Sequence, residues 1–150
     1  MMEWPAYYFG FAEHAAKKSK DSTQVGAVLV GPEGEIRLTG YNGPPRGVND
    51  TKMRRERPTK YLFASHAEAN LIAFAAREGI RTKLCHVYVT HHPCAACART
   101  LIQAGISCVV VGPASFANGS AINAELDAAA EMFAEAGVIV KPWDSEALDG

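Results

Sequence analysis

The chain has almost no net charge, few cysteines and no long hydrophobic run, and each shortage closes off a class of function. Its 15 Lys and Arg nearly balance 16 Asp and Glu, for a formal net charge of −1. No global basic field therefore draws it to nucleic acid or to an anionic membrane, and neither is expected as a partner. No apolar stretch approaches the ~20 residues that a membrane-spanning helix requires. The opening Met1-Met2-Glu3-Trp4-Pro5 has neither the basic nor the apolar region of a signal peptide, so a cytoplasmic location is expected. There are only 4 cysteines, none of them before Cys85. Cys85 and Cys108 flank or enter apolar, strand-like runs and read as small buried free thiols. A reducing compartment suits all of them, and a disulfide scaffold is not indicated.

What is present describes an ordinary globular chain. With 150 residues, 48% hydrophobic and 21% charged, it fits one domain over residues 1–150, large enough to bury a core. No repeat or low-complexity tract interrupts it. Apolar residues at near-helical spacing from Trp4 to about Ser19, ending in Lys17, Lys18 and Lys20, predict a first helix whose cations complement its dipole. Val25 to Val30 and Glu35 to Tyr41, separated by Gly31-Pro32-Glu33-Gly34, predict a β-hairpin. Gly43 to Lys60 is rich in Pro, Arg, Lys, Asn and Asp, and is too long to be a mere connection.

Farther on, Ser65 is placed to cap a helix over about His66 to Glu78, with Gly79 as its stop. A strand is expected from His86 to Thr90, and a helix with Pro93 in its first position closed by Gly105. Cys108 to Val111 reads as a buried strand, Ala121 to Ala136 as a helix ended by Gly137, and Val138 to Val140 as a last strand. Strands alternating with helices imply an α/β fold, with helices on both faces of a sheet that is parallel at least in its second half.

Two short motifs carry the chemistry: His66-Ala67-Glu68, and Pro93-Cys94-Ala95-Ala96-Cys97. One imidazole and two thiolates make three zinc ligands and leave the fourth tetrahedral position open, which is the arrangement of a catalytic site. Cys94 and Cys97 stand at i and i+3 and share one face of a first helical turn, where unpaired N–H groups and the dipole favour thiolates. His66 opens the other predicted helix, with Glu68 in its first turn. Two thiolates and a neutral imidazole offset the dication, so a bound water should ionise near neutral pH. Hydrolytic deamination needs such a nucleophile, together with protons for a ring nitrogen and for the departing amine. Glu68 is the candidate proton shuttle. A lone C-x-x-C would be weak support, since redox and structural zinc sites share it. The ordered pair of motifs is the zinc deaminase signature H-x-E…P-C-x-x-C.

Beyond these motifs the chain resembles the deoxycytidylate (dCMP) deaminases of the cytidine deaminase superfamily, from about Trp4 to Val140. The resemblance is carried by Ser19-Lys20-Asp21-Ser22-Thr23-Gln24-Val25-Gly26-Ala27, Gly40-Tyr41-Asn42-Gly43, Pro45-Arg46-Gly47 and Arg57-Pro58-Thr59-Lys60-Tyr61. It continues through His66-Ala67-Glu68-Ala69-Asn70, Cys94 to Ala98 and Ala104-Gly105-Ile106. It implies a three-layer α/β/α fold with a mixed five-stranded sheet, a homo-oligomer (a hexamer by preference), and conversion of dCMP to dUMP and ammonia. It further implies that Asn42 contacts the substrate sugar, that Ala67 offers a backbone N–H to the base, and that Val25 to Ala27 line the pocket. Phe74 and Arg77 stand where similar enzymes carry an aromatic residue and an arginine needed for activity. In the family dCTP activates and dTTP inhibits through a site that includes the Gly-Tyr-Asn-Gly segment. The alternative for Gly40 to Gly43 is a strand end that serves only to present Asn42. Some relatives bind a second zinc through extra Cys and His. Here His14 is the only histidine before His66, so one Zn2+ per chain is expected.

Lys52, Arg54, Arg55, Arg57 and Lys60 crowd the long loop as either phosphate contacts or a solvated charged surface. Lys20 and Arg46 are the individual candidates for phosphate. His91 and His92 precede Pro93 but are surplus to a three-ligand site. Tyr88 and Trp143 are expected to pack, and Phe116 is a candidate pocket wall. Rival readings are a tRNA adenosine deaminase, which would need a basic surface where this chain has an acidic tail (Asp144, Glu146, Asp149), and a deaminase of free bases, pterins or modified nucleotides. A non-catalytic zinc-binding oligomer is the remaining class, and the intact Glu68 argues against it.

Overall fold

The computed structural model describes residues 1–114 and 120–143; Phe116 and the acidic residues Asp144, Glu146 and Asp149 lie outside that range. The elements run α1 (Trp4–Ala16), β1 (Gly26–Val30), β2 (Ile36–Tyr41), α2 (Lys60–Phe63), α3 (Ala67–Glu78), β3 (His86–His91), α4 (Ala95–Gln103), β4 (Cys108–Ala114), α5 (Ser120–Ala136) and β5 (Ile139–Pro142). The sheet has five strands in the order β2-β1-β3-β4-β5. Its β2, β1 and β3 are antiparallel, and β3, β4 and β5 are parallel. The mixed three-layer fold implied by the resemblance is the one observed.

Alternation along the strands sorts the core into two layers. Ala27, Leu29, Val87, Val89 and Val109 face one way and pack with Ala67 and Leu71 of α3, Ala98 and Leu101 of α4, and Ala129 and Phe133 of α5. Val28, Val30, Tyr88, Cys108 and Val110 face the other way, onto Tyr8, Phe9 and Ala12 of α1. Each Val or Leu buried in this way stabilises the fold by about 1.5–3 kcal/mol. Gly26 lets α1 lie directly on the start of β1, because a Cβ there would collide with the backbone of Ala12 and Ala16. Tyr88 and Trp143 pack as expected, against Tyr8 and Phe9 respectively. Cys85 and Cys108 are buried free thiols. No described helix is long and apolar enough to cross a membrane.

Two predicted helix starts are displaced, for related reasons. The cap of α3 is His66, not Ser65, whose N–H and carbonyl are both spent on a bridge to Gly43. Pro93 is not the first helical residue of α4, because Cys94 takes the extended cap position and the helix begins at Ala95. The stop at Gly79 is as expected, in the left-handed region at φ 69°. The long excursion after Gly43 contains a 3₁₀ turn at Met53–Arg55 and ends in α2.

Candidate active site

The two displaced starts are what assemble the site. A residue at N-cap is extended, so its side chain swings clear of the helix that it opens. His66 and Cys94 both occupy that position, at the N-termini of α3 and α4, which pack together. His66 Nδ1 then lies 3.5 Å from the Cys94 sulfur and 3.4 Å from that of Cys97. The His66 side chain makes no capping bond to its own helix. Part of the deficit at α4 is met from α5, where Glu125 Oε2 accepts the Ala95 N–H at 2.9 Å.

The donor atoms of His66, Cys94 and Cys97 lie within 4.8 Å of one another, the only such group of three or more among the described residues. Tetrahedral zinc, with Zn–S near 2.3 Å and Zn–N near 2.0 Å, sets nitrogen and sulfur roughly 3.5 Å apart. The observed separations agree, so the residues fit one zinc ion per chain. His91 and His92 are not in this group. His91 Nδ1 is 3.1 Å from the Thr90 hydroxyl, and His92 Nδ1–H donates to the Pro93 carbonyl at 2.9 Å.

Charge is distributed to suit a metal. The Cys94 thiol is drawn down to about 3 by hydrogen bonds from Cys97, the His66 ring and the Cys97 N–H, against the opposing cost of burial. Cys97 is held up, mainly by the proton that it shares with Cys94. Its hydrogen bond to Cys94 raises the His66 pKa despite desolvation. Glu68 is only 4% exposed. Burial raises its pKa, although its own backbone N–H and Cys97 bond the carboxylate. A carboxyl poised in this way can take up a proton and return it.

The sequence candidates fall into three groups. Val25, Ala27 and Ala67 are buried together on the α3 side of the sheet. Asn42 and Lys20 line a cavity of about 280 Å³, with Lys18, Arg54, Arg55, Asp21 and Asp50. Arg46, Phe74 and Arg77 line a neighbouring open cleft of about 730 Å³ between β2 and α3, which shares Tyr41, Gly43 and Pro44 with that cavity. There the Arg46 guanidinium sits 5.5 Å from the centre of the Phe74 ring. The Asn42 side chain is engaged with protein: its Oδ1 accepts the Val25 N–H at 2.9 Å and its Nδ2 donates to the Thr23 carbonyl at 2.8 Å.

Sequence reasoning missed the residues that fix this wall. Ser19 donates to the Asn42 carbonyl at 2.9 Å, Thr90 Oγ1 accepts the Gly26 N–H at 3.1 Å, and Lys60 Nζ pairs with Asp21 at 2.8 Å. Ser19, Asp21 and Lys60 stood within conspicuous stretches, but nothing in the sequence told them apart from surface polar residues.

Comparison with known proteins agrees with this geometry. Residues 2–113 match the family described as "Cytidine and deoxycytidylate deaminase zinc-binding region". A protein of Aliivibrio fischeri named "Uncharacterized deaminase in luxG 3'region" is 40% identical over 139 residues, 92% of each chain. The deoxycytidylate deaminase of Homo sapiens is 40% identical over 116 residues, 73% of this chain and 64% of that one. Among solved structures, the dCMP deaminase of cyanophage S-TIM5 in complex with dCMP and dUMP superposes with a TM-score of 0.75. It is 24% identical, and the match covers 95% of this chain and 100% of that one.

Proposed function

The chain belongs to the cytidine and deoxycytidylate deaminase zinc-binding family, and we propose that it deaminates dCMP, with water, to dUMP and ammonia. The observation that carries the reading is a buried carboxylate, Glu68, two residues from His66 of a three-donor zinc set. The names of the mammalian deoxycytidylate deaminases at about 40% identity favour this base and this phosphorylation state.

His66, Cys94 and Cys97 would hold the zinc, which would supply the Lewis acidity that makes water nucleophilic at neutral pH. Glu68 is placed to take a proton from the attacking water and deliver one to the ring nitrogen as the water oxygen adds to the amino-bearing ring carbon. Glu68 then carries the remaining hydroxyl proton to the exocyclic amine, the C–N bond breaks, a carbonyl is left at that carbon, and ammonia departs. The Ala67 N–H binds the base, and Val25 and Ala27 wall its pocket. Asn42 shapes the sugar subsite, its amide having capacity left for one more bond on each atom. Lys20 takes the phosphate, supported by its place in a basic cavity beside Asn42.

Effector control by dCTP and dTTP through Gly40 to Gly43, a hexameric assembly and a cytoplasmic location complete the reading. Support for effector binding is the cleft that runs along Gly40, Tyr41 and Gly43 with Arg46 and Arg77 on its rim. The test follows ammonia release by zinc-loaded protein from dCMP beside deoxycytidine, CMP, 5-methyl-dCMP and free bases, with and without dCTP or dTTP. Selective turnover of dCMP is expected. Silence on dCMP with activity on another amino-heterocycle would overturn the substrate and leave the chemistry standing.

A further inference from the structure

Apart from Glu68, the polar and charged residues buried among the described ones are Ser19, Asn42, Lys60, Thr90 and His91. Four of these bond the single segment Ser19 to Gly26, or belong to it. Ser19 Oγ accepts the Asp21 N–H at 3.2 Å, and its carbonyl takes a bond from Gln24 Nε2 at 2.7 Å. Asp21 Oδ1 accepts the Thr23 N–H at 2.9 Å and the Lys60 ammonium at 2.8 Å. Asn42 holds Thr23 and Val25, and Thr90 holds Gly26. Most of these contacts come from the sheet or from the segment itself. Lys60 alone reaches it from the excursion that follows Gly43.

That position matters because the backbone from Lys60 leads through α2 and the Gly43–Ser65 bridge directly into His66. One end of the Lys60–Asp21 pair is thus tied to the chain that presents a zinc donor, and the other to the chain that forms the wall at Val25. The side chains are 8% and 6% exposed, so little of the pair meets bulk water or salt, although Asp21 borders the cavity beside Asn42. Despite its burial, the bond from Lys60 leaves Asp21 below the usual carboxylate range.

We propose that Lys60 and Asp21 are positioning residues, an internal tie that sets the distance between the zinc donors and the substrate wall. The inference rests on the deaminase reading for its kinetic arm and on geometry alone for its exchange arm.

The experiment compares Lys60→Met with the double variant Asp21→Asn/Lys60→Met in the zinc-loaded protein. Removing one partner strands a buried charge, so Lys60→Met lowers Tm; removing both relieves that cost, and Tm recovers in the double variant. A purely structural pair would let KM recover with it. A positioning pair leaves KM raised about tenfold in both variants, with zinc retained and kcat changed less than about threefold. Hydrogen–deuterium exchange at Thr23, Val25 and Gly26 should quicken in both variants while β4 stays protected. This arm needs no substrate, so it still decides if dCMP proves to be the wrong nucleotide. Recovery of KM together with Tm, or unchanged protection at these amides, would overturn the proposal.

Discussion

His66 Nδ1 stands 3.4 Å from the Cys97 sulfur across 31 positions of sequence, a separation that a shared tetrahedral zinc accommodates. Zinc content should therefore be one ion per chain by plasma emission analysis. Cys94→Ser should lose most of it, because a hydroxyl does not ionise to a ligand at neutral pH as a thiol at this helix start does. Two ions per chain would show that a donor set outside these residues had been overlooked.

Zinc affinity should rise with pH. His66 and Cys97 both have raised pKa values in the metal-free site, so protons occupy positions that zinc must take. A raised pKa means that more protons are bound near neutrality, and each one displaced steepens the rise by up to about tenfold per pH unit. Competition with a chromophoric chelator between about pH 6 and 8 measures the slope. A flat profile would place both donors already deprotonated.

The metal set was legible in the sequence because its spacing is local: each motif sits at one helix start, and helix starts can be read approximately from caps and stops. The fold was legible for a similar reason, since apolar runs and Gly punctuation mark strands and helices. The exact caps were not, because Ser65 is consumed by a bridge to Gly43 that no local rule anticipates. Lys60 was less legible still. Its partner lies 39 positions away, and within a basic loop a buried lysine looks like its exposed neighbours.

Glu68→Gln keeps the shape and burial of the side chain and removes its ability to carry a proton. Zinc content should persist, while kcat for ammonia release falls by at least about 100-fold, the usual scale of a positioned acid–base group. A near-normal rate would assign the proton traffic to another group.

Asn42→Ala should damage both stability and substrate binding. It strips a partner from the Val25 N–H and from the Thr23 carbonyl, and each unsatisfied buried group costs about 1–3 kcal/mol. A drop in Tm with a rise in KM is the expected pair of results. An unchanged Tm would mean that water replaces both bonds.

Lys20 and Arg46 were equal candidates by sequence, and their positions now separate them. Lys20 lines the same cavity as Asn42, whereas Arg46 lies in the cleft beyond β2, against Phe74. Within the cavity Arg55 is partly neutralised by Asp50 at 3.0 Å and Asp21 by Lys60, so Lys18, Lys20 and Arg54 carry its excess positive charge. A charge-assisted bond to phosphate contributes about 1.5–3 kcal/mol, or roughly 10- to 100-fold in KM. Lys20→Ala should impose a loss of that size on dCMP and almost none on deoxycytidine, because only the nucleotide carries the phosphate. Arg46→Ala should leave the ratio of the two substrates unchanged. Steady-state kinetics with both substrates at two salt concentrations decide it, since a phosphate contact weakens as screening increases. The reverse result, with Arg46 controlling the ratio, would move the phosphate to the cleft between β2 and α3.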